Sequence, residues 1–303
     1  MKSKAKRLIS LVVTLVMAFS VMSMCMVSMT AGAAESSSQN TYSELKKYEV
    51  TYGGKVYRGF ILVPEEEGQY DVNLIFCGTG GLNRWTWYHF DQWVNKWVSN
   101  GYIKPSIIVM PSVDKNNPNM EAGVQGWQFE QFVREQMGSM KEALLQTEYG
   151  KYINPSKQIN IIGYSMGGSA SLLTATLYPN LYTNVASLSP SHTYYSYDGQ
   201  QWLKSAKEIV FAKSSRARRL IAYSKSESNG QTYIFQENAK RYETEARKNG
   251  YPFKTYVTKN FPHKVDIFFR EIFVYMYYLD HNIVLTESRV NNMDYSMPIT
   301  QYR

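Results

Sequence analysis

The chain has 303 residues, 44% of them apolar and 15% aromatic, and 25 residues are tyrosines. An apolar fraction of this size can fill a large core, which excludes an intrinsically disordered chain. Two cysteines exclude a scaffold held together by disulfides, whereas the net charge of +8 would by itself suggest an anionic partner such as nucleic acid or a membrane.

The first 34 residues have the pattern of a secretory signal peptide. Four basic residues lie among the first seven, an apolar run follows over residues 8–27, and small residues fill positions 31–34. Cleavage near Ala33 or Ala34 would remove four of the eight net positive charges, so we expect no nucleic-acid partner. An uncleaved membrane anchor is the alternative, because the run is nearly as long as the roughly 20 residues that span a bilayer.

These features predict a secreted, extracellular protein with no stable membrane association after signal cleavage. We expect a signal peptide over residues 1–34, an N-terminal linker over 35–47 and a single folded domain over 48–303.

The folded domain begins with a predicted hairpin over residues 48–63, joined at Gly53-Gly54, which tolerates the positive φ angles of a tight turn. Further strands are predicted over residues 72–77, 107–110, 159–162, 185–188, 220–223 and 253–257, and helices over 90–98, 129–144, 169–178, 235–248 and 268–279. Strands that alternate with helices predict an α/β fold. Its central sheet is mostly parallel and covered by helices on both faces, and the hairpin lies antiparallel at one edge.

The sequence Gly163-Tyr164-Ser165-Met166-Gly167 follows one predicted strand and leads into a predicted helix. A G-x-S-x-G sequence in a strand-turn-helix setting is typical of a nucleophile elbow, where glycines leave room for a strained serine. The alternative is a tight turn with a serine of no catalytic role. We interpret Ser165 as a nucleophile.

A serine hydroxyl needs a base within hydrogen-bonding distance and a carboxylate that orients the base. In an α/β-hydrolase the chain order is serine, acid, histidine, so the base comes late. His263 fits, because it lies between the strand predicted at 253–257 and the last helix; otherwise it is a surface histidine at a helix N-terminus. His281 lies beyond that helix.

The acid is expected after the strand predicted at 220–223. Glu227 is the first carboxylate there, although it can also be read as an exposed loop residue, and Asp198 is the alternative acid. The oxyanion of a tetrahedral intermediate needs backbone N–H donors. We predict Met166, directly after the nucleophile, and Thr79 in the glycine loop Gly78-Thr79-Gly80-Gly81.

Aromatic and histidine side chains follow two of these segments. Trp85, Trp87 and His89 come after the glycine loop, and His192 and Tyr194 come after the strand that follows the elbow. They either bind substrate, by stacking on a sugar or a phenolic acyl group, or simply pack the loops. The four histidines lack the short paired spacings of zinc sites, so we predict neither a metal nor a cofactor.

Over roughly residues 55–280 the chain resembles the esterase family of the α/β-hydrolases, which includes feruloyl, acetyl-xylan and enterochelin-type esterases and the mycolyltransferases. The resemblance rests on the segments 76–81, 109–111, 164–170 and 188–190. The family often has histidine where this chain has Cys77, and glycine where it has Pro262. Many members carry Gly-x-x-Asp after the penultimate strand, whereas this chain carries Ser-Lys-Ser-Glu.

The motif and the resemblance together imply a secreted serine esterase that forms an acyl-enzyme on a small-molecule or polysaccharide ester, such as a feruloyl or acetyl ester of a plant polysaccharide. Two alternatives stay open. One is a hydrolase-fold protein that binds carbohydrate with weak or no turnover, and the other is an acyltransferase of the same fold.

Overall fold

A computed structural model describes residues 41–42, 44–82, 85–86, 88–114, 126–191, 211, 216–226, 234–251, 253–259 and 261–297. Its strands are β1 (Lys46–Tyr52), β2 (Lys55–Leu62), β3 (Val72–Phe76), β4 (Ile107–Pro111), β5 (Asn160–Tyr164), β6 (Val185–Leu188), β7 (Arg219–Ser224) and β8 (Lys254–Thr258). Its α-helices are α1 (Phe90–Ser99), α2 (Gly126–Gln136), α3 (Met140–Leu145), α4 (Met166–Leu177), α5 (Ile234–Lys248), α6 (Val265–His281) and α7 (Glu287–Asn291).

The eight strands form one sheet in the order β1-β2-β4-β3-β5-β6-β7-β8. Strands β1 and β2 are antiparallel to their neighbours, and all other pairs are parallel. The predicted fold class is confirmed, with the N-terminal hairpin at one edge. Gly53 and Gly54 have φ angles of 57° and 75°, which is why this dipeptide can form the tight turn.

Burial explains why the central strands read as continuous apolar runs. Every residue of β3, β4 and β5 is buried, as expected for parallel strands in the middle of a sheet. The edge strand β1 instead buries little more than Tyr48. Helix α4 packs against β3, β5 and β6, and α6 packs against β6. Parallel strands place their carboxyl ends on one edge, so the loops that follow them meet there.

The single helix predicted over residues 129–144 is wrong. The structure has α2 and α3 joined by a 3-10 turn at Met137–Ser139. Gly138 has low helix propensity, and a Cβ there would lie 3.1 Å from the ring of Tyr178. Glycine therefore allows the two segments to turn closely around this tyrosine.

Part of the segment predicted as a linker is packed against the domain. Tyr42 is fully buried, and its hydroxyl donates to the carbonyl of Ser106 and accepts from the N–H of the same residue, at 2.8 and 2.7 Å. Asn95 makes two further hydrogen bonds to the backbone of Tyr42. These contacts attach the chain before β1 to the amino end of the sheet.

Candidate active site

Ser165 lies at the turn between β5 and α4, in a backbone conformation that few residues adopt. Its φ is 56° and its ψ is −119°. The surrounding backbone maintains this conformation: the N–H of Ser165 donates to Leu188, and its carbonyl accepts from Gly168 and Ser191, each at 3.0 Å. A strained backbone held by its neighbours is characteristic of functional positions. It supports the interpretation of Ser165 as a nucleophile.

Close backbone contacts explain the two glycines of the pentapeptide. A Cβ on Gly163 would lie 1.9 Å from the carbonyl oxygen of Gly167, and one on Gly167 would lie 2.4 Å from that of Cys77. Both obstacles are backbone atoms that cannot rotate away. The turn therefore requires glycine at both positions, as the motif predicts.

The glycine loop lies beside this turn because β3 and β5 are neighbours in the sheet. Phe76 is paired with Gly163, so Gly78 and Ser165, each two residues further on, are also adjacent. A Cβ on Gly78 would lie 3.2 Å from the Cβ of Ser165. The N–H of Gly81 donates to the carbonyl of Gly78, closing a turn that presents Thr79 at the surface.

Met166 is the first residue of α4. The first N–H groups of a helix have no partner within it, and the helix dipole favours negative charge at this end. Donors placed directly after a nucleophilic serine are suited to an oxyanion. Thr79 and Met166 follow the carboxyl ends of two neighbouring strands, β3 and β5.

His263 lies in the loop between β8 and α6, and this loop is tied to the end of β7. The N–H of Phe261 donates to the Ser224 hydroxyl at 3.0 Å, and the Ser226 hydroxyl donates to the carbonyl of Lys259 at 3.1 Å. Ser224 is fully buried. The loop that carries His263 thus has a fixed anchor at the carboxyl edge of the sheet.

Arg270 of α6 supports the same loop from the other side. Its guanidinium lies 4.9 Å from the ring centroid of Phe261 and donates to the hydroxyl of Tyr256 at 2.6 Å. Burial raises the pKa of Tyr256 and keeps its hydroxyl neutral. The same guanidinium donates to Asn291 at 2.7 Å, so β8, α6 and α7 are joined beneath the loop.

The ring of His263 lies between two aromatic rings. The ring centroid of Phe235 is 3.8 Å away with an interplanar angle of 9°, and that of Tyr164 is 4.7 Å away at 17°. Both rings cannot stack this closely on one face, so they occupy opposite faces of the imidazole. Tyr164 immediately precedes Ser165, which places His263 next to the turn.

Ser165, His263 and Thr79 line a single pocket. The pocket also contains Lys264 and an aromatic wall formed by Trp85, Tyr164, Phe268 and Phe269. Sequence reasoning missed Tyr164, Lys264 and Phe235 as site residues. A ring inside the pentapeptide was a usable signal for Tyr164, whereas a phenylalanine in an amphipathic helix gives no such signal.

Of the predicted substrate-binding residues, one lines the pocket, one lies outside it, and the others are not described by the structure, nor are the two candidate acids. Trp85 lines the pocket but is 99% buried, with its ring packed against Phe90, Phe268 and Phe269. His89 is exposed at the start of α1 and is not among the lining residues of this pocket. The remaining predicted residues, Trp87, His192, Tyr194, Glu227 and the alternative acid Asp198, lie outside the described residues.

Two kinds of feature are absent from the described ranges. No cluster of three or more histidine, cysteine, aspartate or glutamate residues in these ranges could hold a metal ion. Among the helices of the same ranges, none has the length and apolar character needed to cross a membrane.

Known proteins share this fold. The ferulic acid esterase of the anaerobic fungus Anaeromyces mucronatus has a TM-score of 0.61 and 16% identity, covering 78% of this chain and 90% of the fungal chain. The feruloyl esterase module of Clostridium thermocellum, in a serine-to-alanine variant complexed with sinapinate, has a TM-score of 0.59 and 13% identity, covering 82% and 91%. Another ferulic acid esterase has a TM-score of 0.58 and 15% identity, covering 80% and 99%.

Sequence comparison gives the family. No curated protein matches the chain significantly by sequence. The family model described as "Putative esterase" matches residues 52–268, which include the strained serine, the glycine loop and His263. The chain therefore belongs to this esterase family and is a carboxylic ester hydrolase.

Proposed function

We propose that the protein is a secreted serine esterase in which Ser165 is the nucleophile, His263 the general base and Glu227 the acid that orients it. The observation that carries the proposal is the convergence of Ser165, in its strained conformation, and His263 on one pocket beside the glycine loop. A nucleophile, a base and backbone donors are the parts that acyl transfer requires.

The reaction follows from these positions. His263 takes the proton of the Ser165 hydroxyl while its oxygen attacks the ester carbonyl, and the N–H groups of Met166 and Thr79 stabilise the oxyanion. Collapse of the intermediate breaks the bond to the alcohol, which leaves with the proton from His263. Water then attacks the acyl-enzyme with His263 again as base, releasing the acid and restoring Ser165.

The pocket favours an aromatic acyl group. Rings of Trp85, Tyr164, Phe268 and Phe269 line it, and an aromatic wall gives a planar phenolic acid apolar contact and ring packing. The structurally similar feruloyl esterases, one complexed with sinapinate, support the same class of ester. We place a feruloyl ester first and an acetyl ester second, with a plant polysaccharide as the alcohol.

Export is part of the proposal and rests on the N-terminal sequence. The basic start, apolar run and small residues at 31–34 are those of a cleaved signal peptide. A protein recovered from the culture medium with its N-terminus near residue 35 is the expected outcome. Retention of the uncleaved chain in the membrane would contradict it.

A fluorophosphonate probe tests the nucleophile. We expect covalent labelling of the purified protein at Ser165, mapped by peptide mass spectrometry, and no labelling of Ser165→Ala. Absence of labelling in the wild type, together with retention on insoluble xylan, would support a carbohydrate-binding protein instead. Transfer of the acyl group to an added sugar in preference to water would support an acyltransferase.

Paired variants test the acid. Glu227→Gln removes the proposed carboxylate and should lower kcat by about 100-fold or more, because the imidazole loses its orienting partner. Asp198→Asn, the matched control, should retain activity. The reverse result would assign the role to Asp198.

A panel of esters tests the acyl group. Methyl ferulate, methyl sinapate, methyl acetate and methyl octanoate share one leaving group and differ in the shape and length of the acyl group. The aromatic wall predicts the highest kcat/KM for a ferulate or sinapate when leaving groups are matched. A preference for octanoate would contradict the aromatic assignment.

A further inference from the structure

Two aromatic rings enclose the imidazole of His263: Tyr164 belongs to the continuous hydrophobic core, and Phe235 does not. Phe235 is 97% buried, yet it is the one buried aromatic residue of the described ranges that lies outside the continuous hydrophobic core. Its parallel ring contact is with His263, at 3.8 Å between centroids. Among the described residues, the parallel ring contact of Phe235 is therefore with His263 and not with a residue of that core.

The opposite face of the imidazole is covered by Tyr164, whose own position is fixed. Tyr164 is the last residue of β5, is paired with Leu188 of β6, and stacks on Phe268 at 4.4 Å between centroids. One ring thus comes from the sheet and the other from the first turn of α5. The two rings fix the plane of the imidazole between them and leave its edge, with the ring nitrogens, uncovered by either ring.

His263 takes up and releases a proton twice in each turnover, so it must keep the same edge directed at the serine and then at the leaving oxygen. Flanking rings restrict tilting of the imidazole out of its plane. A hydrogen bond from one ring nitrogen to a carboxylate instead restricts rotation of the ring within that plane. The π faces also attract the positive charge that His263 carries after it takes the serine proton.

We propose, on the basis of the serine esterase function above, that Phe235 and Tyr164 are positioning residues for His263. Phe235 acts on the base alone, whereas Tyr164 also forms part of the pocket wall. Neither residue bonds to the substrate's reacting atoms. Their effect falls on the proton transfers to and from His263 and is greatest where the leaving alcohol needs a proton.

The test compares Phe235→Leu with Phe235→Tyr, using Phe253→Leu as the control. Phe253 is 98% buried and contacts the ring of Phe211, so its replacement makes a similar apolar change elsewhere. We expect Phe235→Leu to lower kcat by at least about tenfold with KM little changed, and Phe235→Tyr to stay within about threefold of wild type. Phe253→Leu should retain wild-type kcat.

The leaving group distinguishes positioning from a general loss of structure. A p-nitrophenolate leaves without needing a proton, whereas the alkoxide of an alkyl ester needs one from His263. The loss in Phe235→Leu should therefore be several-fold larger for methyl ferulate than for p-nitrophenyl ferulate. An equal loss for both esters would overturn the proposal, and so would wild-type kcat in this variant.

Tyr164 provides an independent test if Phe235→Leu does not fold. Tyr164→Phe keeps the ring and should keep the wild-type leaving-group ratio, whereas Tyr164→Leu should change it in the same direction as Phe235→Leu. An unchanged ratio in Tyr164→Leu would count against positioning by this ring. A wild-type protein with no esterase activity and no Ser165 labelling would defeat the proposed function itself, which is a different outcome from an active wild type with unaffected variants.

Discussion

Replacement of Ser224 by alanine should reduce activity through the loop that carries His263. The Ser224 hydroxyl accepts a hydrogen bond from the N–H of Phe261, two residues before His263, at 3.0 Å. Alanine removes this acceptor without changing the strand. The N–H of Phe261 then loses its partner in a half-buried position.

The magnitude follows from the lost bond and from catalytic geometry. A hydrogen bond lost from this half-buried donor costs about 0.5–1.5 kcal/mol, and each 1 kcal/mol lowers the Tm of a domain this large by roughly 2–4 °C. A displacement of about 1 Å at a catalytic group can cost about 100-fold in rate. We expect a Tm lower by a few degrees and a kcat lower by about 10- to 100-fold.

Tyr42→Phe is the matched control. It removes two hydrogen bonds between a buried hydroxyl and Ser106 at the amino end of the sheet, opposite the pocket. Its loss of stability should be similar, but its kcat for methyl ferulate should equal that of the wild type. The reasoning is refuted if Ser224→Ala keeps wild-type kcat, or if Tyr42→Phe loses as much activity as Ser224→Ala.

Two further predictions concern the turn and the core. Gly167→Ala would place a Cβ 2.4 Å from the carbonyl oxygen of Cys77. We expect a free energy of unfolding lower by about 1–3 kcal/mol or more, measured by urea unfolding, and a kcat/KM for ester hydrolysis at least about 100-fold lower. Wild-type values in both assays would contradict the geometry of the turn. Burial raises the pKa of the hydroxyls of Tyr48 and Tyr275 above the ordinary value of about 10, which favours the protonated form in the folded state. The contribution of these two hydroxyls to the free energy of unfolding is therefore fully present below about pH 10, and it decreases as the pH rises above that value. A urea midpoint that is unchanged up to about pH 11 would argue against this.

The sequence alone predicts those parts of the fold that depend on residues close together in the chain. The Gly53-Gly54 turn, the buried strands and the turn around Ser165 depend on residues within a few positions of each other, and the structure contains all three. The break at Gly138 is an exception, because the apolar spacing continues through it while a distant ring, that of Tyr178, takes the space.

The arrangement of the pocket depends on contacts between distant parts of the chain. The position of β3 between β4 and β5 brings the glycine loop beside Ser165, and periodicity carries no information about strand order. Phe235 is 28 residues before His263, and its spacing in α5 is that of an ordinary amphipathic helix. Only the folded structure shows which rings meet the imidazole.

The central claim, a serine esterase that uses Ser165, is tested most directly by steady-state hydrolysis of p-nitrophenyl acetate by the purified wild type and Ser165→Ala. The account predicts measurable turnover by the wild type and a kcat at least about 1000-fold lower in the variant, with unchanged Tm. Equal turnover by the two proteins would contradict it.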